Sequence, residues 1–182
     1  MSATATTTRV DLRTRYLGLE LRNPIVAAAS PLTGSVESLL RLQEAGAAAV
    51  VLPSLFEEQI EHEEMGTHNL MLYGAELSPE AGGFFPEVQR QGTAIDKHLR
   101  LIQDAKKALN VPVIASLNGY TAGGWTRYAR QFEAAGADAI ELNVYFLATD
   151  PADTSEAVEQ RYVDLVASVC RDVKVPVAVK VA

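Results

Sequence analysis

The chain has 182 residues, about the length of one domain, of which 48% are hydrophobic and 21% charged. This composition is typical of a globular domain and argues against a disordered, collagen-like or coiled-coil protein. Sixteen basic against 23 acidic residues give a net charge of −7 without any basic run, which disfavours binding to nucleic acid or to an acidic membrane surface. The sequence contains no stretch of about 18 unbroken apolar residues, so it predicts no membrane-spanning helix.

The N-terminus and the cysteine content bear on location. Residues 1–9 are rich in Ser and Thr and lack the apolar core and basic cluster of a signal peptide. We therefore expect a disordered tail at 1–9 and a single domain over 10–182. The single cysteine, Cys170, excludes an internal disulfide and favours a reducing compartment, for which we expect the cytoplasm.

The first predicted elements are a β-hairpin and a strand–helix unit. Alternating leucines around Gly18, within residues 10–21, predict the hairpin. The apolar run 24–29 predicts a strand, and a helix follows between an N-cap at Ser35 and a stop at Gly46.

A second apolar run, 48–52, predicts a strand that ends at Pro53. The periodic pattern is then lost, and we expect a long loop over 54–92 in which residues 56–65 form a short acidic helix. A connection of this length is typical of a lid or a binding loop.

Regular alternation of strands and helices returns after the loop. The predicted elements are, in order, a helix capped by the Thr93–Asp96 capping box, a strand over 111–116, a helix over 125–135, a strand over 139–144, a helix capped at Thr154 and a strand over 175–181. Short apolar strands between amphipathic helices predict a parallel α/β sheet.

Two short repeats support a fold built from βα units. Glu44-Ala45-Gly46-Ala47 recurs as residues 134–137, and Val111-Pro112-Val113 recurs as 175–177. Five parallel strands are fewer than the eight of a TIM barrel, which typically needs about 250 residues. The sequence therefore predicts a partial (β/α)₈ barrel with an N-terminal hairpin. We expect this chain to be a fragment of a full barrel, because the last predicted strand is apolar and reaches the chain end.

Ligands of α/β folds bind at the carboxyl ends of the strands. The polar residues predicted there are Ser30, Ser54, Ser116, Asn118, Glu141, Asn143 and Lys180. Asparagine amides can donate to and accept from a planar heterocycle, and a lysine can stand beside a ring that becomes anionic. This set suits a polar planar ligand such as a flavin.

Four segments resemble the dihydroorotate dehydrogenases. Residues 19–30 resemble the opening of that family, 112–119 and 135–143 its third and fourth strand motifs, and 176–180 its Pro-Val…Val-Lys strand. The segments occur in the family's order, and apart from the long loop their spacing is also that of the family. The resemblance implies an FMN-dependent (β/α)₈ barrel that oxidises dihydroorotate, or a related CH–CH substrate, in pyrimidine biosynthesis. It also implies a possible homodimer.

The resemblance assigns cofactor contacts to five residues. It implies that Ala29 and Ser30 contact the flavin, that Asn118 and Asn143 face the flavin and the substrate, and that Lys180 lies at the pyrimidine edge of the flavin. There a lysine would stabilise negative charge on the reduced ring.

Two departures from the family concern its chemistry. Pro53 or its neighbour stands where the family has a lysine, and Phe146 stands where it has the catalytic base, with Ala148 in place of the asparagine that follows. Phenylalanine cannot accept a proton. We therefore expect a dihydroorotate dehydrogenase-like oxidoreductase that acts on dihydroorotate or on a related substrate or, alternatively, a catalytically inactive partner subunit of a redox complex. A lyase with a Schiff base on Lys180 is a third hypothesis.

Three weaker candidates have simpler interpretations. Gly119, Gly123 and Gly124 open a helix and could hold an anion. The acidic segment 57–64, together with His62 and His68, could hold a metal, but a solvated acidic face is favoured and no metal site is expected. Tyr145 could exchange protons, although packing is the favoured role.

Overall fold

The computed structural model describes residues 10–63, 65, 92–119, 121–146 and 148–181. Its elements in chain order are β1 (Thr14–Tyr16), β2 (Leu19–Leu21), β3 (Val26–Ala27), α1 (Val36–Glu44), β4 (Ala49–Phe56), α2 (57–63), α3 (Ala94–Ala108), β5 (Val113–Asn118), α4 (Ala122–Ala135), β6 (Ala139–Val144), α5 (Ser155–Asp172) and β7 (Val177–Val181). β1 and β2 form an antiparallel hairpin, and β3 to β7 form a parallel sheet in chain order. This α/β architecture is that of a partial TIM barrel, as predicted. The expected tail at 1–9 lies outside the described residues.

Helices cover one face of the parallel sheet, called here the outer face. The buried strand residues that pack with the helices are Val50, Leu52, Leu55, Val113, Ala115, Leu117, Ile140, Leu142 and Val144, and the main helix residues are Leu39, Ile102, Trp125, Phe132, Leu165 and Val169. Successive side chains of a strand point to opposite faces, so the residues between these strand positions face the barrel interior.

The hairpin closes the inner face at the amino ends of the strands. Leu21 packs there with Val51 and Ile114. The turn residues Leu17 and Gly18 have φ of 53° and 76°. Positive φ at both central residues is what a tight two-residue hairpin turn requires. The predicted hairpin is confirmed, and Leu17 accepts a backbone conformation that is uncommon for a bulky residue.

β4 differs from its prediction. The strand does not end at Pro53 but continues to Phe56, with a register shift against β5 between Val51 and Ser54. Proline has no N–H to donate, so it is tolerated at such an irregularity. The end of β4 therefore occupies the first residues of the expected loop 54–92, and α2 corresponds to the short acidic helix predicted over 56–65. The first strand is also shorter than the predicted run 24–29.

Helix caps follow the sequence signals. Ser35, Thr93 and Thr154 each accept a backbone N–H at the start of their helices, and Thr93 forms the predicted capping box with Asp96. Gly136 ends α4 with φ of 100°. These contacts satisfy backbone groups that have no partner within the helix.

Polar side chains hold the amino ends of the strands in place. Glu133 of α4 accepts from the backbone N–H groups of Lys174 and Val175 at 2.7 and 3.1 Å, just before β7. Asp138 accepts from the N–H of Val113 at 2.8 Å and from Lys106 of α3 at 2.7 Å. These contacts thus fix the starts of the strands, at the end of the barrel opposite the carboxyl ends where ligands are expected.

One histidine is buried in the helix layer. His98 of α3 is 8% exposed, and its ring centroid lies 4.9 Å from that of Phe132. Its Nε2 has no hydrogen-bond partner among the described residues. Burial lowers the pKa of His98 to about 4 because the apolar surroundings disfavour the charged imidazolium.

Acidification should therefore destabilise the fold through His98. The unfolded chain binds a proton at His98 near pH 6.5, whereas the folded chain binds it only near pH 4. The stability that the neutral His98 preserves is therefore fully present above pH 6.5 and is lost as the pH falls towards 4. The expected loss at pH 4 is about 3 kcal/mol. In denaturant unfolding, the free energy of unfolding of wild type should fall on acidification relative to that of His98→Leu, so that the two values converge or cross. The exposed His62, changed to Leu, should leave the wild-type pH dependence intact; an identical effect of both variants would contradict this account.

Candidate active site

The inner face carries polar side chains in two rows at the carboxyl ends of β4 to β7. Residues paired in register across parallel strands share a face. Ser54 pairs with Ser116, and Ser116 with Glu141; we call these three residues the lower row. Two positions further on, Asn143 pairs with Lys180. These two residues and Asn118 form the upper row, nearer the mouth of the barrel.

Hydrogen bonds join the lower row across three strands. The hydroxyl oxygens of Ser54 and Ser116 are 2.7 Å apart, and Ser116 Oγ lies 3.2 Å from Glu141 Oε1. An ionised carboxylate only accepts, so Ser116 donates to Glu141 and accepts from Ser54. Glu141 also lines a cavity of about 350 Å³ together with hairpin residues that include Arg15 and Tyr16. The structure thus joins three polar residues that the sequence placed only at separate strand ends.

The upper row contains an unpartnered buried acceptor. Asn143 is 6% exposed, and its Oδ1 has no hydrogen-bond partner among the described residues. Asn118 is half-buried and Lys180 is exposed. Most buried carbonyl oxygens in proteins are paired, so an orphaned one at a strand end is typical of a ligand site. Together the row offers amide donors and acceptors beside one cation.

Ala29 and Ser30 follow β3 on the same side of the sheet. Ala29 packs against the inner-face cluster beneath the hairpin residues. The backbone of Ser30 is engaged in the tight turn that begins there: its N–H donates to Thr33 Oγ1 at 3.2 Å, and its carbonyl accepts from the Thr33 N–H at 3.0 Å. Ser30 and Thr33 form a capping box, so the polar groups of Ser30 are engaged locally. Its contact with a flavin stays a prediction.

Phe146 belongs to the helix layer. Its ring packs edge-on against Tyr162 of α5 at a centroid distance of 4.7 Å, and its N–H donates to the Tyr162 hydroxyl at 3.2 Å. Val144 lies in the outer core as well, so the intervening Tyr145, 52% exposed, falls on the side of Asn143. The position expected for a base thus holds a packing residue.

Glu57 is a functional candidate that sequence reasoning missed. It was expected on a solvated acidic face, yet it is 2% exposed. Its carboxylate accepts from the N–H of Thr121 at 3.0 Å and from the Thr121 hydroxyl. The chain's own carboxylate therefore lies where Gly119 and Gly124 could have held an anion. Glycine at these two positions is the sequence signal that such a close approach requires.

No group of three or more His, Cys, Asp or Glu side chains among the described residues is placed to hold a metal ion. His68, part of the acidic segment's metal hypothesis, lies outside them. No helix among them is long and apolar enough to cross a membrane.

The sequence matches the nitronate monooxygenase family over residues 6–180. The chain belongs to this family. The catalytic subunit of dihydroorotate dehydrogenase B (NAD(+)) from Thermoplasma volcanium is 30% identical over 177 residues, 94% of this chain and 54% of the relative. Its counterpart from Thermoplasma acidophilum is 31% identical over 74% of this chain and 41% of the relative. The predicted resemblance to dihydroorotate dehydrogenases is confirmed, and nitronate monooxygenases and dehydrogenases are both oxidoreductases.

Solved structures support the fold alone. A phosphonopyruvate hydrolase with oxalate and Mg²⁺ has a TM-score of 0.50 at 15% identity, over 87% of this chain and 48% of that one. A dihydrodipicolinate synthase from Bacillus anthracis has a TM-score of 0.50 at 13% identity, over 85% and 44%. The chain spans about half the length, or less, of the curated relatives and solved structures described here.

Replacing Asn143 should stabilise the ligand-free protein. The change Asn143→Leu keeps the branching of the side chain at Cγ and removes the unpartnered oxygen, whose burial costs about 1–3 kcal/mol. We expect a higher midpoint in denaturant unfolding and a loss of ligand binding. The matched change Asn118→Leu should raise the midpoint less, because that amide is only half-buried. A lower midpoint for Asn143→Leu would show that the amide already has a partner.

Proposed function

We propose that this protein is an FMN-dependent oxidoreductase whose flavin lies against the upper row. The observation that carries the proposal is the buried, unpartnered Oδ1 of Asn143 beside the cation of Lys180. Such an acceptor suits a ring N–H, and the lysine suits a ring that gains negative charge on reduction. Membership of an oxidoreductase family supports the same assignment.

Five residues of this chain would hold the flavin, each through a different contact. Asn143 would accept from the ring, and Asn118 at the end of β5 would orient it from the adjacent strand. Lys180 would place its charge at the pyrimidine edge, with Ala29 and Ser30 at the other side of the mouth. When bound, FMN would supply an electron acceptor that protein side chains lack.

The packing of Phe146 bears on the substrate. Oxidation of dihydroorotate at its CH–CH bond requires a base that removes a proton, and the ring of Phe146 is packed against Tyr162. A nitronate is an anion that has already lost its proton, so its oxidation does not require such a base. We therefore favour a small preformed carbanion of the nitronate type over dihydroorotate, the substrate named for the curated relatives.

A reduction experiment on the protein purified from its native cells tests this assignment. We expect a flavin absorbance spectrum, and anaerobic bleaching by an alkyl nitronate but not by dihydroorotate. Bleaching by dihydroorotate alone would reverse the substrate preference. Absence of flavin after incubation with FMN would overturn the function and favour a catalytically inactive partner subunit.

Lys180 should tune the flavin. The change Lys180→Gln removes a positive charge beside the reduced ring, and we expect the two-electron midpoint potential to fall by about 30 mV, equivalent to about 1.4 kcal/mol. Spectroelectrochemical titration measures the shift. Lys174→Gln is the matched control, because Lys174 precedes the opposite end of β7. Equal potentials for wild type and Lys180→Gln would remove the lysine from the flavin site.

A further inference from the structure

Glu57 stands directly beside the upper row without belonging to it. It follows Phe56, the last residue of β4, and Phe56 pairs in register with Asn118, the last residue of β5. The chain then leads from Asn118 through Gly119 to Thr121, which binds the Glu57 carboxylate. The buried Glu57 side chain therefore links the carboxyl ends of the neighbouring strands β4 and β5.

The contacts of this carboxylate form a chain of hydrogen bonds. The Thr121 hydroxyl donates to Glu57 Oε1 and accepts from the Gly124 N–H at 2.9 Å, which makes Thr121 the N-cap of α4. The backbone N–H of Thr121 donates to Glu57 Oε2 at 3.0 Å. A carboxylate at a helix amino end also gains from the helix dipole.

Two glycines make room for the carboxylate. A Cβ at Gly124 would lie 1.9 Å from Glu57 Oε1, closer than atoms can approach, and a Cβ at Gly119 would lie 3.1 Å from Oε2. The Gly119 Cβ would also lie 3.1 Å from the ring of Trp125, which is 1% exposed. The turn between β5 and α4 is thus shaped around Glu57.

We propose that Glu57 is a positioning residue whose buried carboxylate holds the β5–α4 turn, and with it Asn118, in the geometry that the upper row requires. Glu57 contacts no ligand in this account. It acts through Thr121 and Gly119, and the same contact closes the amino end of α4 to external anions. The link to flavin rests on the proposed function; the link to the turn does not.

Trp125 is a built-in reporter, since it is the only tryptophan of the chain and lies against the turn. In the purified protein, Glu57→Ala should shift Trp125 emission to the red and increase its quenching by acrylamide. Formate, which can occupy the space left by the carboxylate, should reverse both changes, whereas chloride at equal ionic strength should not. Glu58→Ala is the matched control, because Glu58 is adjacent and exposed. Should Glu57→Ala fail to fold, Thr121→Val keeps the carboxylate, removes the hydroxyl and should produce the same red shift.

Titration with FMN completes the test. We expect Glu57→Ala to bind FMN about tenfold more weakly or worse, as when a buried hydrogen bond to a charged group is lost, and formate to restore the affinity. Unchanged emission in both variants would overturn the proposal. Changed emission with unchanged FMN affinity would also overturn it, since the contact would then be structural only. If wild type binds no FMN while formate restores the Trp125 emission of Glu57→Ala, the proposed function is wrong, but the role of Glu57 in holding the β5–α4 turn is supported.

Discussion

The parallel register of β4 to β7 is the constraint on which the candidate site depends. Helices cover the outer face of these strands, so every outward position must be apolar, and the apolar cluster of Val50, Val113, Ile140 and their neighbours meets that demand. Strand alternation then assigns the intervening residues to the barrel interior. Serine, asparagine, glutamate and lysine occur there only towards the carboxyl ends, where ligands of this fold bind. Stability and function are thus separated by face and by position along each strand.

Much of this arrangement could be predicted from sequence because it rests on local rules. Helix caps at Ser35, Thr93 and Thr154 depend on a few neighbouring residues, and apolar runs of five or six residues mark buried strands. Asn118, Asn143 and Lys180 were correctly placed at strand ends for the same reason. Their assembly into one row follows from the register of the strands, which the fold supplies and the sequence alone does not.

Two features escaped prediction because they depend on distant contacts. Glu57 lies in a glutamate-rich segment, which favours a solvated face, whereas in the fold Thr121 donates hydrogen bonds to its carboxylate and Gly124 leaves space for it. A buried carboxylate is costly unless it accepts hydrogen bonds, and these contacts provide them. The packing role of Phe146 likewise depends on a distant residue, because its ring contacts that of Tyr162.

The irregularity at Pro53 has a consequence for the interior. Val51 pairs with Ile114 and Ser54 with Ser116, so three residue steps on β4 match two on β5. The extra residue moves Ser54 to the inner face and turns Leu55 outward into the helix-side core. Without it, Leu55 would point into the barrel and Ser54 would be buried under the helices. Proline at the bulge, where a ladder N–H is not needed, therefore helps to define the lower row and its hydrogen bond to Ser116. Pro53 and Phe146 thus share a property: the fold itself uses each side chain, the proline at the bulge of β4 and the phenylalanine against Tyr162.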